Sequence, residues 1–276
     1  MNEVLKIDNI KQHYSSGKGL FRQGYVIKAV DGVSFSVAQG ETLGLVGESG
    51  CGKSTLGRTI LKLYEPTEGR IFFEGKDITS LSCKDMRPLR KEMQIVFQDP
   101  LESLNQRHTV GMILEEPFII HGVGSREQRK DWVLELLDKV GLPQTAVNRY
   151  PHEFSGGQRQ RIGIARAIAL KPKLLICDES VSALDVSVQA QILNLLLKIQ
   201  GEMNLAIIFI SHDLSVVKHV SDRVAVMNKG KIVEMGTVEE IYSSPKDEYT
   251  KKLLDAIPIT HPSQRKYISA RKVVNQ

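Results

Sequence analysis

The sequence of residues 47–55 reads Gly47-Glu48-Ser49-Gly50-Cys51-Gly52-Lys53-Ser54-Thr55, and it fits the pattern G-x-x-x-x-G-K-[ST]. Glycines in such a loop let the backbone wrap closely, so that successive N–H groups point at phosphate oxygens. The pattern also predicts that Lys53 reaches the β- and γ-phosphates of a nucleotide and that the Ser54 hydroxyl is a ligand of Mg²⁺. The alternative is a glycine-rich turn that binds no ligand. We interpret the stretch as a phosphate-binding loop in which Cys51 is a small filler.

The residues on either side of this loop favour a strand before it and a helix after it. The apolar run Thr42 to Val46 predicts a buried strand, and the composition of Leu56 to Leu63 is compatible with a helix. Further upstream, an apolar residue alternates with a small or polar one from Val33 to Ala38, which predicts another strand. The first 50 residues therefore read as strands and turns, and the loop has the context that a phosphate-binding loop requires.

Three regions follow the loop. Strand-like spacing returns from about residue 70 to 98, and the pattern becomes helical from about 100 to 170, where Val133, Leu136, Leu137 and Val140 fall at i, i+3, i+4 and i+7. From Leu174 onward the sequence predicts a strand to Cys177, a helix from about 186 to 202, a strand from 205 to 210 and two short strands around residues 228–230. This order predicts one α/β core that flanks a helical block.

Two carboxylates end the strand that begins near Lys173. Asp178 and Glu179 follow an apolar run, and ligands of a parallel sheet lie beyond the carboxyl ends of its strands. Because neighbouring strand residues face opposite sides of a sheet, the side chains of Asp178 and Glu179 should have different roles. Asp178 suits Mg²⁺, and Glu179 suits the orientation and deprotonation of an attacking water. A pair of carboxylates after a strand is often only a solvated turn, and the phosphate loop upstream favours the catalytic interpretation.

Composition limits the class of protein. The chain has 276 residues, 41% hydrophobic and 25% charged, with a formal net charge of +5, which excludes a disordered or fibrous protein. Its three cysteines form no C-x-x-C pattern, so neither a disulfide framework nor a zinc site is expected and a reducing cytosol fits best. The first ten residues mix charged and apolar side chains, unlike a signal peptide, and no apolar run is long enough to cross a bilayer.

Further motifs identify a family. Residues Phe154 to Arg161 resemble the signature sequence of ABC-type ATPases, and His212, between Ser211 and Asp213 after a predicted strand, resembles their switch histidine. Gln98 and the segment Ser182 to Asp185 complete a set of five elements that occur in the family's order, across roughly residues 14–236. A lone histidine or a lone Ser-Gly-Gly loop would not identify the family, but the ordered set of five elements does.

The resemblance implies an α/β fold, namely an ABC-type P-loop ATPase with a RecA-like core, an N-terminal antiparallel β subdomain and a helical subdomain. It implies an ATPase domain over residues 1–245, with the helical subdomain at about 100–170, and a short C-terminal extension with a basic tail over 246–276.

It also implies site residues. Glu179, His212 and Gln98 would be catalytic, and Ser54, Gln98 and Asp178 would hold Mg²⁺. ATP would bind to the whole loop from Gly47 to Thr55 and to Tyr14, whose ring would stack on adenine; the alternative for Tyr14 is an ordinary half-buried aromatic. Each ATP would lie between two such subunits, with the partner's nucleotide contacted by the signature residues Ser155, Gly156, Gly157 and Gln158, and Asp185 linking the two sites.

The similarity extends to a subfamily. Residues 97–105, 149–158 and 249–258 look like the ATP-binding subunits of oligopeptide, dipeptide and nickel importers, most of all their "F" type. This resemblance implies a peripheral protein at the cytoplasmic face of the membrane, partnered by a second ABC ATPase subunit and two integral-membrane permease subunits. An extracytoplasmic solute-binding protein would take part indirectly, and nucleic acid is not an expected partner.

Several functions stay open at this stage. Oligopeptide or dipeptide import is favoured, and import of nickel or a metal chelate is the main alternative. An ABC ATPase that acts on DNA or ribosomes fits less well, because the chain has one ATPase unit and about 100 residues between phosphate loop and signature. A regulatory subunit that binds ATP without hydrolysing it would not need Glu179 and His212.

The chain departs from the family's pattern at three points. Ser180 and Gln106 stand where proline is usual, and the loss of proline at 180 is expected to loosen the turn that aims Glu179. No cysteine follows Cys177, so the iron-sulfur cluster of some relatives is not expected.

The positive charge belongs to the C-terminal end. Residues 250–276 contain six basic side chains and one acidic side chain, whereas the remaining 249 residues carry 31 of each. The ATPase core is thus neutral overall, and the tail either rests against anionic lipid headgroups or is simply solvated.

Overall fold

The computed structural model describes residues 2–15, 26–99, 103–182 and 184–256. The strands in these ranges are β1 Glu3–Ser15, β2 Val26–Ala38, β3 Thr42–Val46, β4 Glu68–Phe73, β5 Lys76–Asp77, β6 Met93–Val96, β7 Leu174–Asp178, β8 Ala206–Ser211, β9 Arg223–Asn228 and β10 Lys231–Thr237. The α-helices are α1 Lys53–Ile60, α2 Cys83–Met86, α3 Val110–Ile120, α4 Arg126–Lys139, α5 Gly156–Ile168, α6 Val186–Met203, α7 Leu214–Val220, α8 Val238–Ser243 and α9 Glu248–Asp255. The basic residues Arg265, Lys266, Arg271 and Lys272 of the predicted tail lie outside the described residues.

The larger sheet brings the ends of four strands to one edge. Its strand order is β10-β9-β3-β8-β7-β6, and all neighbours run parallel except the β9–β10 hairpin. Strands β3, β7 and β8 are buried along their whole length, as expected for a parallel sheet covered on both faces. The segments that follow β3, β6, β7 and β8 therefore meet at the carboxyl edge of this sheet.

The smaller sheet is antiparallel and has the order β2-β1-β4-β5. In β2 the alternation seen in the sequence becomes burial of Val33, Phe35 and Val37 and at least partial exposure of the residues between them. This sheet packs against α1 and one face of the larger sheet to form one core. The expected N-terminal antiparallel β subdomain is thus confirmed.

A second core lies on the other face of the larger sheet, beneath the helical block. Leu175 and Cys177 of β7 face this core, whereas Leu174 and Ile176 face the first one, because successive strand residues point to opposite faces. Buried side chains from α3 to α6 complete the second core. No helix in the described parts of the chain is long and apolar enough to span a membrane.

Most of the predicted elements are confirmed, including the helix near 186–202, the strand near 205–210 and the strand pair around residue 229. The prediction of strand-like structure throughout 70–98 was wrong for residues 83–91, which form α2 and a short 3₁₀ turn. The Ser82 side chain accepts a hydrogen bond from the Asp85 amide, so an N-cap there starts a helix. Helix α1 begins and ends three residues earlier than the predicted segment 56–63, and Lys62 just beyond it has φ 54°.

Candidate functional site

The phosphate loop connects β3 to α1, and its glycines are required by close backbone contacts. Gly52 has φ 109°, and a Cβ atom there would lie 2.0 Å from the Ala29 carbonyl oxygen. A Cβ atom on Gly47 would lie 2.1 Å from the Met227 carbonyl oxygen. Both carbonyl oxygens belong to the backbone, so neither can move aside as the end of a flexible side chain would. The loop can therefore adopt this conformation only with glycine at these positions.

Lys53 lies folded into its own loop. Its side chain is buried, and Nζ donates hydrogen bonds to the carbonyl oxygens of Gly47 at 2.8 Å and Glu48 at 2.9 Å. The Cys51 sulfur is 3.8 Å from the same nitrogen, and burial raises the pKa of the Cys51 thiol despite that charge. This thiol is accordingly a poor nucleophile, in agreement with its interpretation as a filler.

Ser54 and Asp178 meet although 124 residues separate them in the chain. The Ser54 hydroxyl donates to Oδ1 of Asp178 at 2.6 Å, and Nη2 of Arg58 lies 3.9 Å from Oδ2. Burial raises the pKa of the Asp178 carboxyl, and the hydrogen bond from Ser54 and the charge of Arg58 offset that effect only in part. Two of the three side chains predicted to hold Mg²⁺, those of Ser54 and Asp178, are thus in direct contact.

Glu179 lies between Gln98 and His212. Nε2 of Gln98 donates to Oε2 of Glu179 at 3.1 Å, and Nδ1 of His212 is 3.4 Å from the same oxygen. Glu179 has φ 48°, an uncommon backbone conformation for a side chain of this kind. Its amide donates to the Ile210 carbonyl at 3.0 Å, which ties the turn after β7 to the end of β8. The structure therefore brings together three residues that the sequence placed on three separate strands.

Ser180 follows within the same turn. It is buried, and the turn is closed by hydrogen bonds from the Ser182 amide at 3.1 Å and the Ser182 hydroxyl at 3.0 Å to the Glu179 carbonyl. The turn thus has hydrogen bonds of its own that stabilise it without proline at position 180.

The pocket over the phosphate loop has a volume of about 360 Å³. Its lining includes Ser49 to Thr55, Gln98 and Glu179, which are among the candidate site residues of the sequence analysis, and also Lys28 and Lys229. The two lysines were missed because they lie on β2 and in the β9–β10 turn, which the chain brings to the loop only by folding. A lysine in a hairpin turn has no sequence signal that marks it as a ligand-binding residue.

The signature residues lie at the N-terminus of α5. Ser155 is the N-cap, its side chain accepts from the Gln158 amide, and Gln158 in turn accepts from the Ser155 amide. This capping box orders an exposed helix end whose free N–H groups favour an anion. Among the described residues, the signature and Asp185 do not line the phosphate pocket. Within one chain, the structure keeps these two predicted site elements away from that pocket.

Gly157 has a packing role that its motif does not reveal. A Cβ atom there would lie 2.3 Å from Cγ1 of Val188, so the missing side chain lets α5 approach the start of α6. Asp185 is the N-cap residue of α6, and this close packing therefore joins the signature helix to the segment that contains Asp185.

Tyr14 lies near the end of β1 with 40% of its surface exposed. Its ring packs edge-on against Tyr64 with 6.2 Å between centroids. Partial burial raises the pKa of its hydroxyl, and the neighbouring Tyr64 raises it further. The side chain of Tyr14 is thus partly exposed, although Tyr14 is not part of the phosphate pocket formed by the described residues.

Comparison with known proteins gives consistent matches. Residues 30–182 match the family model described as ABC transporter. The chain is 55% identical to the oligopeptide transport ATP-binding protein AppF of Bacillus subtilis (strain 168), over 93% of this chain and 79% of that protein. It is 53% identical to the oligopeptide transport ATP-binding protein OppF of Salmonella typhimurium, over 94% and 79% of the two chains.

Solved structures agree with these matches. The dimeric ATP-binding cassette MJ0796, in a post-hydrolysis state bound to ADP and Pi, superposes with a TM-score of 0.75 and 28% identity over 85% of this chain and 98% of that one. The cbiO1 subunit of the cbiONQ transporter from Clostridium perfringens gives a TM-score of 0.78 and 28% identity over 94% and 97%.

Proposed function

This chain belongs to the ABC transporter family of ATP-hydrolysing subunits, and we propose that it powers the import of oligopeptides or dipeptides through a membrane permease. The observation that carries this proposal is the convergence of the phosphate loop, Asp178, Glu179, Gln98 and His212 at one edge of the sheet. Peptide is favoured as the transported solute because relatives with about half of their residues identical are named as oligopeptide and dipeptide transport proteins. Nickel or a metal chelate is the alternative.

Nucleotide binding would begin at Lys53. In the structure its ammonium group satisfies two carbonyl oxygens of its own loop, so the phosphates of ATP would replace these partners with stronger, charge-assisted ones. The glycine conformations already wrap the loop around the phosphate-binding site. Lys28 and Lys229 add positive charge to the lining of the pocket above it. Tyr14 would stack on the base.

The residues around Asp178 fit Mg²⁺. They supply a hydroxyl and a carboxylate in contact at 2.6 Å, with Gln98 on the wall of the adjoining pocket. A site with few protein oxygens suits this ion, which keeps several waters and binds substrate phosphates. In the described part of the chain no cluster of three or more His, Cys, Asp or Glu residues could hold a metal ion alone, in agreement with a site that the nucleotide completes. When bound, Mg²⁺ would neutralise phosphate charge.

Glu179 would act as the general base toward the attacking water. Its carboxylate is largely buried and receives a hydrogen bond from Gln98, so its orientation is fixed before substrate arrives. His212 is half exposed, and its Nδ1 lies 3.4 Å from the same Glu179 carboxylate. From this position its ring could turn toward the γ-phosphate. The presence of this arrangement argues against a subunit that only binds ATP.

The exposed signature supports a site shared between two subunits. At the capped N-terminus of α5, Ser155, Gly156 and Gln158 are exposed and Gly157 is buried, and none of the four lines the phosphate pocket of its own chain. We propose that this helix end contacts the γ-phosphate bound by a second ATPase subunit and that Asp185 communicates between the sites. A heterodimer, peripheral on the cytoplasmic face of the membrane, would then act with two permease subunits and, indirectly, a solute-binding protein.

A groove of about 800 Å³ offers a surface for the permease. It runs between the helical block and the N-terminal ends of β6 and β7, and its walls include Val123, Phe118 and Trp132. The ring centroids of Phe118 and Trp132 are 5.1 Å apart. The exposed side chains of Ile119 and Ile120 follow Phe118 in the sequence. Exposed apolar surface of this kind is typical of a binding site for another protein.

We expect Val123→Asp to prevent assembly with the permease. The groove also has charged lining residues such as Glu135 and Lys171, but a charge placed among its apolar side chains would be desolvated on binding, which should reduce co-purification of the permease at least about tenfold. The measurement is the permease recovered with the tagged chain from detergent-solubilised membranes.

The matched control is Val233→Asp on β10, because Val233 is 36% exposed and Val123 is 37% exposed. The control variant should retain the permease, and both variants should bind ATP as the unaltered chain does. If Val123→Asp retained the permease as well, the groove would not be the contact.

The transported solute is tested on the assembled complex. We expect oligopeptides or dipeptides to stimulate ATP hydrolysis by the complex purified through a tag on this chain and reconstituted with its binding protein. Stimulation by nickel or a nickel chelate, with none by peptides, would favour the alternative. The chain alone should be only weakly active, and full solute-stimulated activity without partners would contradict the proposal.

A further inference from the structure

The last two helices contact both segments that sense the nucleotide. The hydroxyl of Tyr249 on α9 accepts a hydrogen bond from the backbone amide of Glu48 in the phosphate loop at 3.1 Å. The hydroxyl of Tyr242 on α8 donates to the carbonyl oxygen of Leu214, which begins α7 two residues after His212. The C-terminal part of the fold therefore connects the phosphate loop to the segment of the proposed switch histidine.

The contact at Glu48 is made on a peptide group that is held from both sides. The carbonyl of this peptide group, that of Gly47, accepts a hydrogen bond from Lys53 Nζ at 2.8 Å, and its N–H, that of Glu48, donates to Tyr249. Under the proposed function the lysine leaves this carbonyl for the phosphates. The Tyr249 bond then remains as a restraint from outside the loop, and it keeps the peptide in the orientation that the nucleotide requires.

Helix α9 is fixed well enough to act in this way. The Glu234 carboxylate on β10 accepts from the amides of Lys246 at 2.8 Å and Asp247 at 3.1 Å. Asp247 then caps α9 by accepting from the Tyr249 amide at 2.8 Å, and Thr250 is fully buried. The position of Tyr249 is thus determined by β10, the edge strand of the larger sheet, and not by the phosphate loop.

The hydrogen bond from the Tyr242 hydroxyl to the Leu214 carbonyl is likewise held in place by its surroundings. A tyrosine hydroxyl is protonated at neutral pH without any shift, and burial raises the pKa of the Tyr242 hydroxyl further, so the group is a donor. Lys218 of α7 lies over the same ring at 5.3 Å. Asp213, between His212 and Leu214, caps α7 through its Oδ1 and donates its own amide to the Ser211 hydroxyl at 3.0 Å. A shift of Leu214 would therefore move the residues that carry His212.

We infer that Tyr249 and Tyr242 are positioning residues for ATP hydrolysis, the first for the phosphate loop and the second for the switch segment. The C-terminal helices thereby make nucleotide affinity and turnover depend on their own docking. This inference rests on the proposed roles of the phosphate loop and His212, and it adds two residues to which the sequence analysis gave no role in ATP hydrolysis.

The test separates binding from turnover in the full chain and in the assembled complex. Binding of the fluorescent nucleotide TNP-ATP to the full chain measures Kd, and basal ATP hydrolysis by the complex measures kcat and KM. Loss of one hydrogen bond should change the affected constant about two- to tenfold. We expect Tyr249→Phe to raise Kd and KM by about fivefold with kcat within about twofold, and Tyr242→Phe to lower kcat by about fivefold with Kd within about twofold.

Lys251→Gln is the matched control on α9, because the hydrogen bond and ion pair of Lys251 go to the exposed Glu248 and not to the phosphate loop. It should leave all three constants unchanged. If both tyrosine variants changed the same constant, or if Tyr249→Phe lowered thermal stability without raising Kd, the tyrosines would be structural only and the inference would be wrong. A wild-type chain that bound no TNP-ATP would overturn the proposed function as well.

Discussion

Glu179→Gln should abolish nearly all ATP turnover while ATP binding persists. General-base catalysis contributes about two to four orders of magnitude to the rate, and the amide of glutamine cannot accept the proton of the attacking water. The substituted side chain has the same length and can still contact Gln98 and His212 at the present 3.1 and 3.4 Å separations. We therefore expect a phosphate-release rate lowered at least about a hundredfold and a Kd for ATP within about twofold of the unaltered chain.

This variant should also trap the closed pair of subunits, because ATP that is not hydrolysed keeps both sites filled. Size-exclusion chromatography with ATP and Mg²⁺ would detect the trapped form. Glu3→Gln removes a carboxylate of the same type from an exposed position on β1 and should hydrolyse ATP normally. Turnover by Glu179→Gln equal to that of the control would exclude Glu179 as the base.

Gly52→Ala should have the second largest effect, on nucleotide binding itself. The added Cβ would meet the Ala29 carbonyl oxygen at 2.0 Å, in a backbone conformation with φ 109° that alanine rarely adopts. Strain of this kind costs about 1–3 kcal/mol. The loop can relieve it only by changing shape, so affinity for ATP should fall by about ten- to a hundredfold. Equilibrium titration with TNP-ATP provides the measurement.

Gly201→Ala is the matched control for this prediction. Gly201 lies in α6 and a Cβ atom there would meet nothing within 4 Å, so alanine should stabilise the helix by about 0.5–1 kcal/mol. This control should bind ATP normally and unfold at a slightly higher temperature. Wild-type affinity in Gly52→Ala would show that the loop conformation described here is not the one that binds nucleotide.

Residues that act through local backbone geometry were predictable from the sequence. The spacing of Gly47, Gly52 and Lys53 predicts the loop because steric limits on φ and ψ apply within a few residues. The strand-loop-helix context is local in the same sense. The segment 83–91 was misread, because a cap at Ser82 outweighed a strand-like pattern over a short distance.

The contacts that organise the site depend instead on residues far apart in the chain. Ser54 meets Asp178 across 124 positions, and Glu48 meets Tyr249 across 201. The family motifs implied that Ser54 and Asp178 share a site, but no periodicity or motif indicates the contact between Glu48 and Tyr249, which forms only when the C-terminal helices pack beside the sheet. By itself the sequence determined the family, the phosphate loop and the candidate catalytic side chains, since these follow from local backbone constraints and residue chemistry. Only the tertiary structure decided which side chains touch, because hydrogen bonds act over about 3 Å and the chain must fold to bring distant residues within that range.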